Sequence, residues 1–235
     1  PAIPRRDAAL DATRTFAIWL MVACHTARLI SRRHRPDWMQ FAMEIEPLCQ
    51  ALFMTMVGIS LVYSVRIATA RGERGWAGRQ LRRAAQIFGI GFLLFFLEKG
   101  WQWPWTLTSH GILAAIAESM VLFTPLAVLA QRRPAAGLWA GVAFTTALMG
   151  ATIALDVADL HLLVLNAGNG AVMPYAVLTG FGFVAACVLL DRGRLAKGIL
   201  MGGVGVAGIG MAAHFGWQAI FDHPIGRVST PAVYQ

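Results

Sequence analysis

The stretch GILAAIAESMVLFTPLAVLA, Gly111 to Ala130, is twenty residues long, carries one ionisable side chain, Glu118, and is followed by Arg132 and Arg133. Twenty helical residues rise about 30 Å, the thickness of a bilayer's hydrocarbon core. The run therefore reads as a membrane-spanning helix. Runs of the same kind recur on both sides at Phe16 to Ile30, Pro47 to Val65, Ala84 to Leu97, Ala135 to Leu155, Ala171 to Leu190 and Gly198 to Phe221. Short basic clusters separate them. The pattern predicts an all-α polytopic transmembrane helix bundle of about seven spans, forming one integral membrane domain over residues 1–235. The third run is short and is expected to lean on snorkelling Arg82 and Arg83. Arg5 and Arg6 resemble the start of a signal peptide, but no small-residue cleavage site follows, so the first span is expected to stay as an anchor.

Composition agrees. At 57% hydrophobic and 14% charged, with mean hydropathy +0.58, the 235 residues carry more apolar side chain than one soluble core could bury. The same figures exclude a disordered chain. The net charge of +8 does not mark a nucleic-acid binder, because the arginines lie between apolar runs rather than on one face or tail. Cys24 and Cys187 lie within apolar runs and Cys49 at the mouth of one, which makes neither a disulfide framework nor close metal-ligand spacing. No metal is expected.

Orientation follows from the cations. Of the 20 Lys and Arg, 14 fall on the side of the N-terminus and six on the other, so the positive-inside rule places the N-terminus in the cytoplasm. Trp101, Trp103 and Trp105 then form an aromatic belt on the outer side. All six histidines, His25, His34, His110, His161, His214 and His223, fall in the outer half or the outer loops, together with Glu44, Glu46, Glu98, Asp156 and Asp159. The two faces are expected to carry different chemistry.

Arg14 and His25 frame the first span with ten residues between them, about 16 Å of helical rise, too far for their side chains to touch. A cation near the cytoplasmic end suits phosphate recognition, and an imidazole in the outer half suits proton transfer. The plainer alternatives are a positive-inside anchor for Arg14 and a helix–helix hydrogen bond for His25. Glu118 lies eight residues into its run, about 12 Å from the outer end and close to the depth of His25. A carboxylate there demands a partner. A Glu118–His25 pair would orient the imidazole as a base; a protonated Glu118, or one paired with Arg28 for packing alone, is the alternative. His34 sits inside an outer basic cluster of Arg28, Arg32, Arg33 and Arg35, which suits a lipid head group or an acidic sugar. Arg32, Arg33, Trp103 and His110 are candidate contacts for an outer-face substrate, with His34 a further catalytic candidate. Gly203 to Gly208 matches the dinucleotide fingerprint by letter, but the βαβ unit it requires does not fit within an apolar span, so those glycines serve helix packing. A haem would need two facing imidazoles, such as His25 with His214 or His110, and a missing Soret band would exclude it.

These residues resemble the transmembrane acyltransferases, specifically the family around heparan-α-glucosaminide N-acetyltransferase and, more distantly, the acyltransferase-3 proteins. Leu10-Asp11-Ala12-Thr13-Arg14-Thr15-Phe16-Ala17-Ile18 is similar to their "Leu-Asp-x-x-Arg-Gly-x-Ala-Ile" lead into the first span, with Thr15 in place of glycine. Arg14 to His25 matches the Arg-x10-His motif of the acyltransferase-3 branch. Phe53 to Leu61 resembles a "Phe-x-Phe-x-Val-Gly-x-Ser-Leu" pattern, Arg79 to Gly91 the basic lead into the third span, and Ile225 to Ser229 the lead into the last. His110 to Ala117 is similar to "Phe-Gly-Ile-Leu-His-x-Ile-Ala", with Ala114 where that pattern has histidine.

The resemblance implies transfer of an acyl group, acetyl in the first instance, from cytoplasmic acyl-CoA (acetyl-CoA) to a hydroxyl or amine of an outer-face glycan or lipid acceptor. With the Arg14–His25 spacing and the matched depth of Glu118, the leading expectation is that His25, oriented by Glu118, acts as general base or transient acyl carrier, and that Arg14 with Arg79, Arg82 and Arg83 holds the CoA phosphates. Membrane lipids, further copies of the chain or a larger membrane complex are the expected partners, and a bacterial inner membrane the expected location. Further spans are expected beyond Tyr234-Gln235. The rival expectation is a non-enzymatic integral membrane subunit, transporter or flippase within a larger complex, motivated by Thr15, Ala114 and the modest polar content of the spans.

Overall fold

The computed structural model describes residues 8–29, 46–101, 111–158 and 172–189. Six helices cover almost all of them: α1 (Ala8–Leu29), α2 (Glu46–Ala70), α3 (Trp76–Lys99), α4 (Gly111–Arg132), α5 (Pro134–Val157) and α6 (Val172–Leu189). No strand occurs among the described residues. Four of the helices are long and apolar enough to cross a bilayer, over Cys49–Ala70, Trp76–Leu97, Gly111–Arg132 and Pro134–Leu155, and a shorter apolar stretch runs over Tyr175–Leu189. The first and sixth expected spans fall on α1 and α6, and the seventh, Gly198 to Phe221, lies outside the described residues.

The ends of the helices differ from the ends of the apolar runs. The third span is not short. Its helix begins at Trp76, right after Gly75 in the left-handed region at φ 74°, so Arg79, Arg82 and Arg83 ride on the helix rather than precede it. Arginine, glutamine, leucine and alanine are good helix formers, so the backbone stays helical after the side chains stop being apolar. For the same reason α1 starts at Ala8, well ahead of Phe16.

The bundle is held by close backbone approach. The most extensive contact joins α2 to α6, and glycines make it possible. A methyl group on Gly58 of α2 would lie 2.0 Å from the Thr179 carbonyl oxygen, and one on Gly182 of α6 would lie 1.9 Å from that of Thr55. In lipid, where apolar side chains gain little by leaving their solvent, such contacts carry much of helix association. Beside this seam, Phe123 of α4 packs edge-on to Phe144 of α5 at 5.4 Å and against Phe183 of α6 at 5.7 Å. Both Phe123 and Phe183 are fully buried. The hydroxyls of Thr55, Thr124 and Thr145 donate to carbonyls four residues back, at 2.8, 2.6 and 2.8 Å, which satisfies them without a partner helix. Toward the other side, Tyr175 Oη of α6 donates to Gln50 Oε1 of α2 at 3.0 Å.

The outward faces are apolar. Leu93, Leu94 and Leu97 of α3, Trp139 and Ile153 of α5, and Phe16 and Trp19 of α1 are all exposed. A bilayer is the solvent that suits such a surface.

Candidate donor cavity between the first four helices

An elongated cavity of about 310 Å³ opens between α1, α2, α3 and α4. Along α2 its wall runs from Phe53 to Ser64, eleven residues and about 16 Å of rise. The polar lining gathers at one end: Arg14 from α1, Ser60 and Ser64 from α2, Gln80 and Arg83 from α3. This is the end where α1 and α3 begin and α2 finishes. The other end is apolar, with Phe53, Met56 and Val57 of α2 facing Ile116 and Met120 of α4.

Arg14 reaches the cavity because two groups hold it. Its Nη1 donates to Asp11 Oδ1 at 3.4 Å, one turn back on α1. Its Nη2 donates to Ser60 Oγ on α2. Ser60 Oγ in turn donates to the Met56 carbonyl, and Ser64 Oγ to that of Leu61 at 3.0 Å. Two stretches of the sequence that resemble family motifs, around Arg14 and around Ser60, thus meet at one hydrogen bond.

The three arginines of α3 part company. Gln80, Arg83 and Ile87, at spacing i, i+3, i+7, share the helix face that lines the cavity. Arg83 makes no hydrogen bond or ion pair among the described residues. Arg79 turns instead to the connection between α2 and α3, donating to Glu73 Oε2 at 2.5 Å and to the Arg74 carbonyl at 3.0 Å. Arg82 is exposed and does not line the cavity. Of the four cations expected at a donor site, the structure brings Arg14 and Arg83 together and leaves Arg79 and Arg82 outside.

Glu118 does not line the cavity. It sits on α4 between Ile116 and Met120, which do, and two helical residues turn it about 200° away from each. Its Oε2 is buried with no hydrogen-bond partner among the described residues, and so is the hydroxyl of the fully buried Ser119. His25 lies on α1, eleven residues beyond Arg14, with its imidazole outside the described residues. Arg32, Arg33, His34, Trp103 and His110 also lie outside them. No cluster of three or more His, Cys, Asp or Glu suited to a metal occurs among the described residues.

Sequence reasoning passed over Ser60, Ser64 and Gln80. A signal existed for the serines, since Ser60 and Ser64 are four residues apart and therefore lie on one face of α2.

Residues 6–198, more than four-fifths of the chain and all six helices, match the family model described as heparan-alpha-glucosaminide N-acetyltransferase, catalytic. No curated protein and no solved structure matches the chain.

Proposed function

The chain belongs to the heparan-α-glucosaminide N-acetyltransferase catalytic family, a family of membrane acetyltransferases, and from that premise we propose which reaction it runs and where. It moves an acyl group, acetyl in the first instance, from cytoplasmic acyl-CoA to a hydroxyl or amine of a sugar or lipid on the outer face of a bacterial inner membrane. The observation that carries this reading is the pairing of Arg14 and Arg83 at one end of a slot that is apolar at the other. Two guanidiniums suit the phosphates of CoA. The slot, about 16 Å long by helical rise along α2, is on the scale of an extended pantetheine arm with a short acyl group at its tip.

The reading uses seven spans with the N-terminus in the cytoplasm, which puts the arginine end of the slot on the donor's side. In the transfer, the acceptor's nitrogen or oxygen bonds to the thioester carbonyl carbon, the carbon–sulfur bond breaks, and the thiolate of CoA leaves. The acceptor's proton passes to His25, which Glu118 orients. If His25 instead carries the acyl group between donor and acceptor, it forms the same bond first and yields it second. Arg32, Arg33, His34, Trp103 and His110 hold the acceptor from the outer side.

The test is CoA release by the purified chain against a panel of amine and hydroxyl acceptors. His25→Ala is expected to lower turnover by about 10²- to 10⁴-fold, the range of general acid–base catalysis, with CoA still bound. Turnover at the wild-type rate in that variant would refute the assignment.

A further inference from the structure

We propose that Ser60 is the positioning residue of the donor site, holding the Arg14 guanidinium across the cavity so that its remaining N–H groups face the phosphates of acyl-CoA. This rests on the reading of the cavity as the donor site. Ser60 sits in an apolar stretch, Met56 to Val62, where a hydroxyl ordinarily does no more than donate to the carbonyl four residues back. Here that ordinary bond is made, to Met56, and it settles the hydroxyl's direction. With its proton committed to α2's own backbone, its lone pairs are left for α1, and Arg14 Nη2 donates into them.

The arginine needs this second anchor. Asp11 and Arg14 are one turn apart on the same helix, with side chains 34% and 40% exposed, and a pair that exposed holds little geometry by itself. The contact from α2 turns a loose intrahelical pair into a fork fixed at both Nη atoms. A guanidinium has five N–H donors. Asp11 and Ser60 occupy two of them, which leaves three for an anion. Arg83 on the opposing helix brings a second guanidinium to the same end of the cavity. The platform beneath Ser60 is rigid, because Gly58, two residues away, is pressed against the backbone of Thr179 and Phe183.

The test compares acetyl-CoA with S-acetyl-pantetheine, which has the same thioester and no phosphate, using the full chain in detergent. Ser60→Ala is expected to raise KM for acetyl-CoA about tenfold, the effect of losing one charge-assisted hydrogen bond, with kcat held within about twofold. KM for S-acetyl-pantetheine should stay where it was. Ser60→Thr, which keeps a hydroxyl on the same backbone bond, should restore the wild-type KM. Equal shifts for both donors, or no shift for either, would overturn the proposal. If Ser60→Ala fails to fold, Arg14→Lys replaces it, since one ammonium cannot reproduce the two-nitrogen fork; it should show the same loss confined to acetyl-CoA, and equal KM values for wild type and variant would overturn the proposal. Calorimetric titration with CoA alone separates the two levels of inference. A wild-type chain that binds no CoA overturns the donor-site reading and this proposal together, whereas equal CoA affinity in wild type and Ser60→Ala overturns this proposal only.

Discussion

Replacing Gly58 by alanine should loosen the bundle at its tightest seam, between α2 and α6. The methyl carbon of Gly58→Ala would lie 2.0 Å from the Thr179 carbonyl oxygen, 2.6 Å from the Phe183 nitrogen and 3.1 Å from the Gly182 carbonyl carbon. Side-chain carbons essentially never come within 3.0 Å of such atoms, so α2 and α6 must part locally by about 1 Å. All three obstacles are backbone, and no rotamer change relieves them. Overpacking of this kind costs about 1–3 kcal/mol, and in a chain of this size each kcal/mol lowers Tm by roughly 2–4 °C. The variant should therefore melt roughly 2–12 °C below the wild type in the same detergent. Gly89→Ala is the internal control, because a methyl group there meets nothing within 4 Å. On the exposed face of α3 it should be neutral or stabilising by about 0.5–1 kcal/mol, through helix propensity alone. Equal melting temperatures for the Gly58 variant and the wild type would refute the account of the α2–α6 seam. So would a fall for Gly89→Ala as large as that for Gly58→Ala, since the damage would then come from the substitution and not from the place.

Two further outcomes follow from the same packing and the same cavity. Phe123→Ala, which removes a fully buried ring from its contacts with Phe144 and Phe183, should cost about 3–5 kcal/mol in denaturant unfolding; a loss below about 1 kcal/mol would show that the three rings are not a core. Arg83→Ala should raise KM for acyl-CoA about tenfold, and Arg79→Ala, whose charge is engaged by Glu73, by much less; equal effects from the two would mean that proximity to the membrane surface, and not the cavity, decides donor binding.

The helices were legible in the sequence because apolarity persists through 14 residues or more in every run, and for a chain in lipid that persistence is nearly the whole constraint. Their ends were not. Apolarity and helicity stop at different residues, and Trp76 to Arg83 is helical for reasons of backbone propensity that hydropathy does not register. Arg14 stood out because a charge beside an apolar run always does. Ser60 did not, because one hydroxyl among Met56, Val57, Ile59 and Leu61 has the composition of a residue serving its own backbone. Its second role depends on α1 crossing α2 at that level, a long-range fact. The three arginines of α3 were indistinguishable by type, yet the i, i+3, i+7 spacing of Gln80, Arg83 and Ile87 separates them once a neighbouring helix says which face is inward. Gly58 and Gly182 lie 124 residues apart, and no local pattern announces that their helices touch.

The placement of Glu118 bears on how the two faces of the membrane could communicate. Its neighbours Ile116 and Met120 line the apolar end of the cavity, so its backbone stands at that level while its side chain turns elsewhere. A carboxyl oxygen buried without a partner is unfavourable by about 1–3 kcal/mol or more, and the adjacent Ser119 hydroxyl repeats the situation. Two such groups side by side on α4 carry a burial cost that apolar side chains of similar size, methionine for Glu118 and alanine for Ser119, would avoid. Neither finds a partner among the described residues. In the proposed reaction the imidazole of His25 or the acceptor would supply that partner, since each offers a hydrogen-bond donor to a carboxylate. In that arrangement the arginines would mark the donor's end of the slot, and a base oriented by Glu118 would stand beyond its apolar end, on the face of α4 that turns away from the lining.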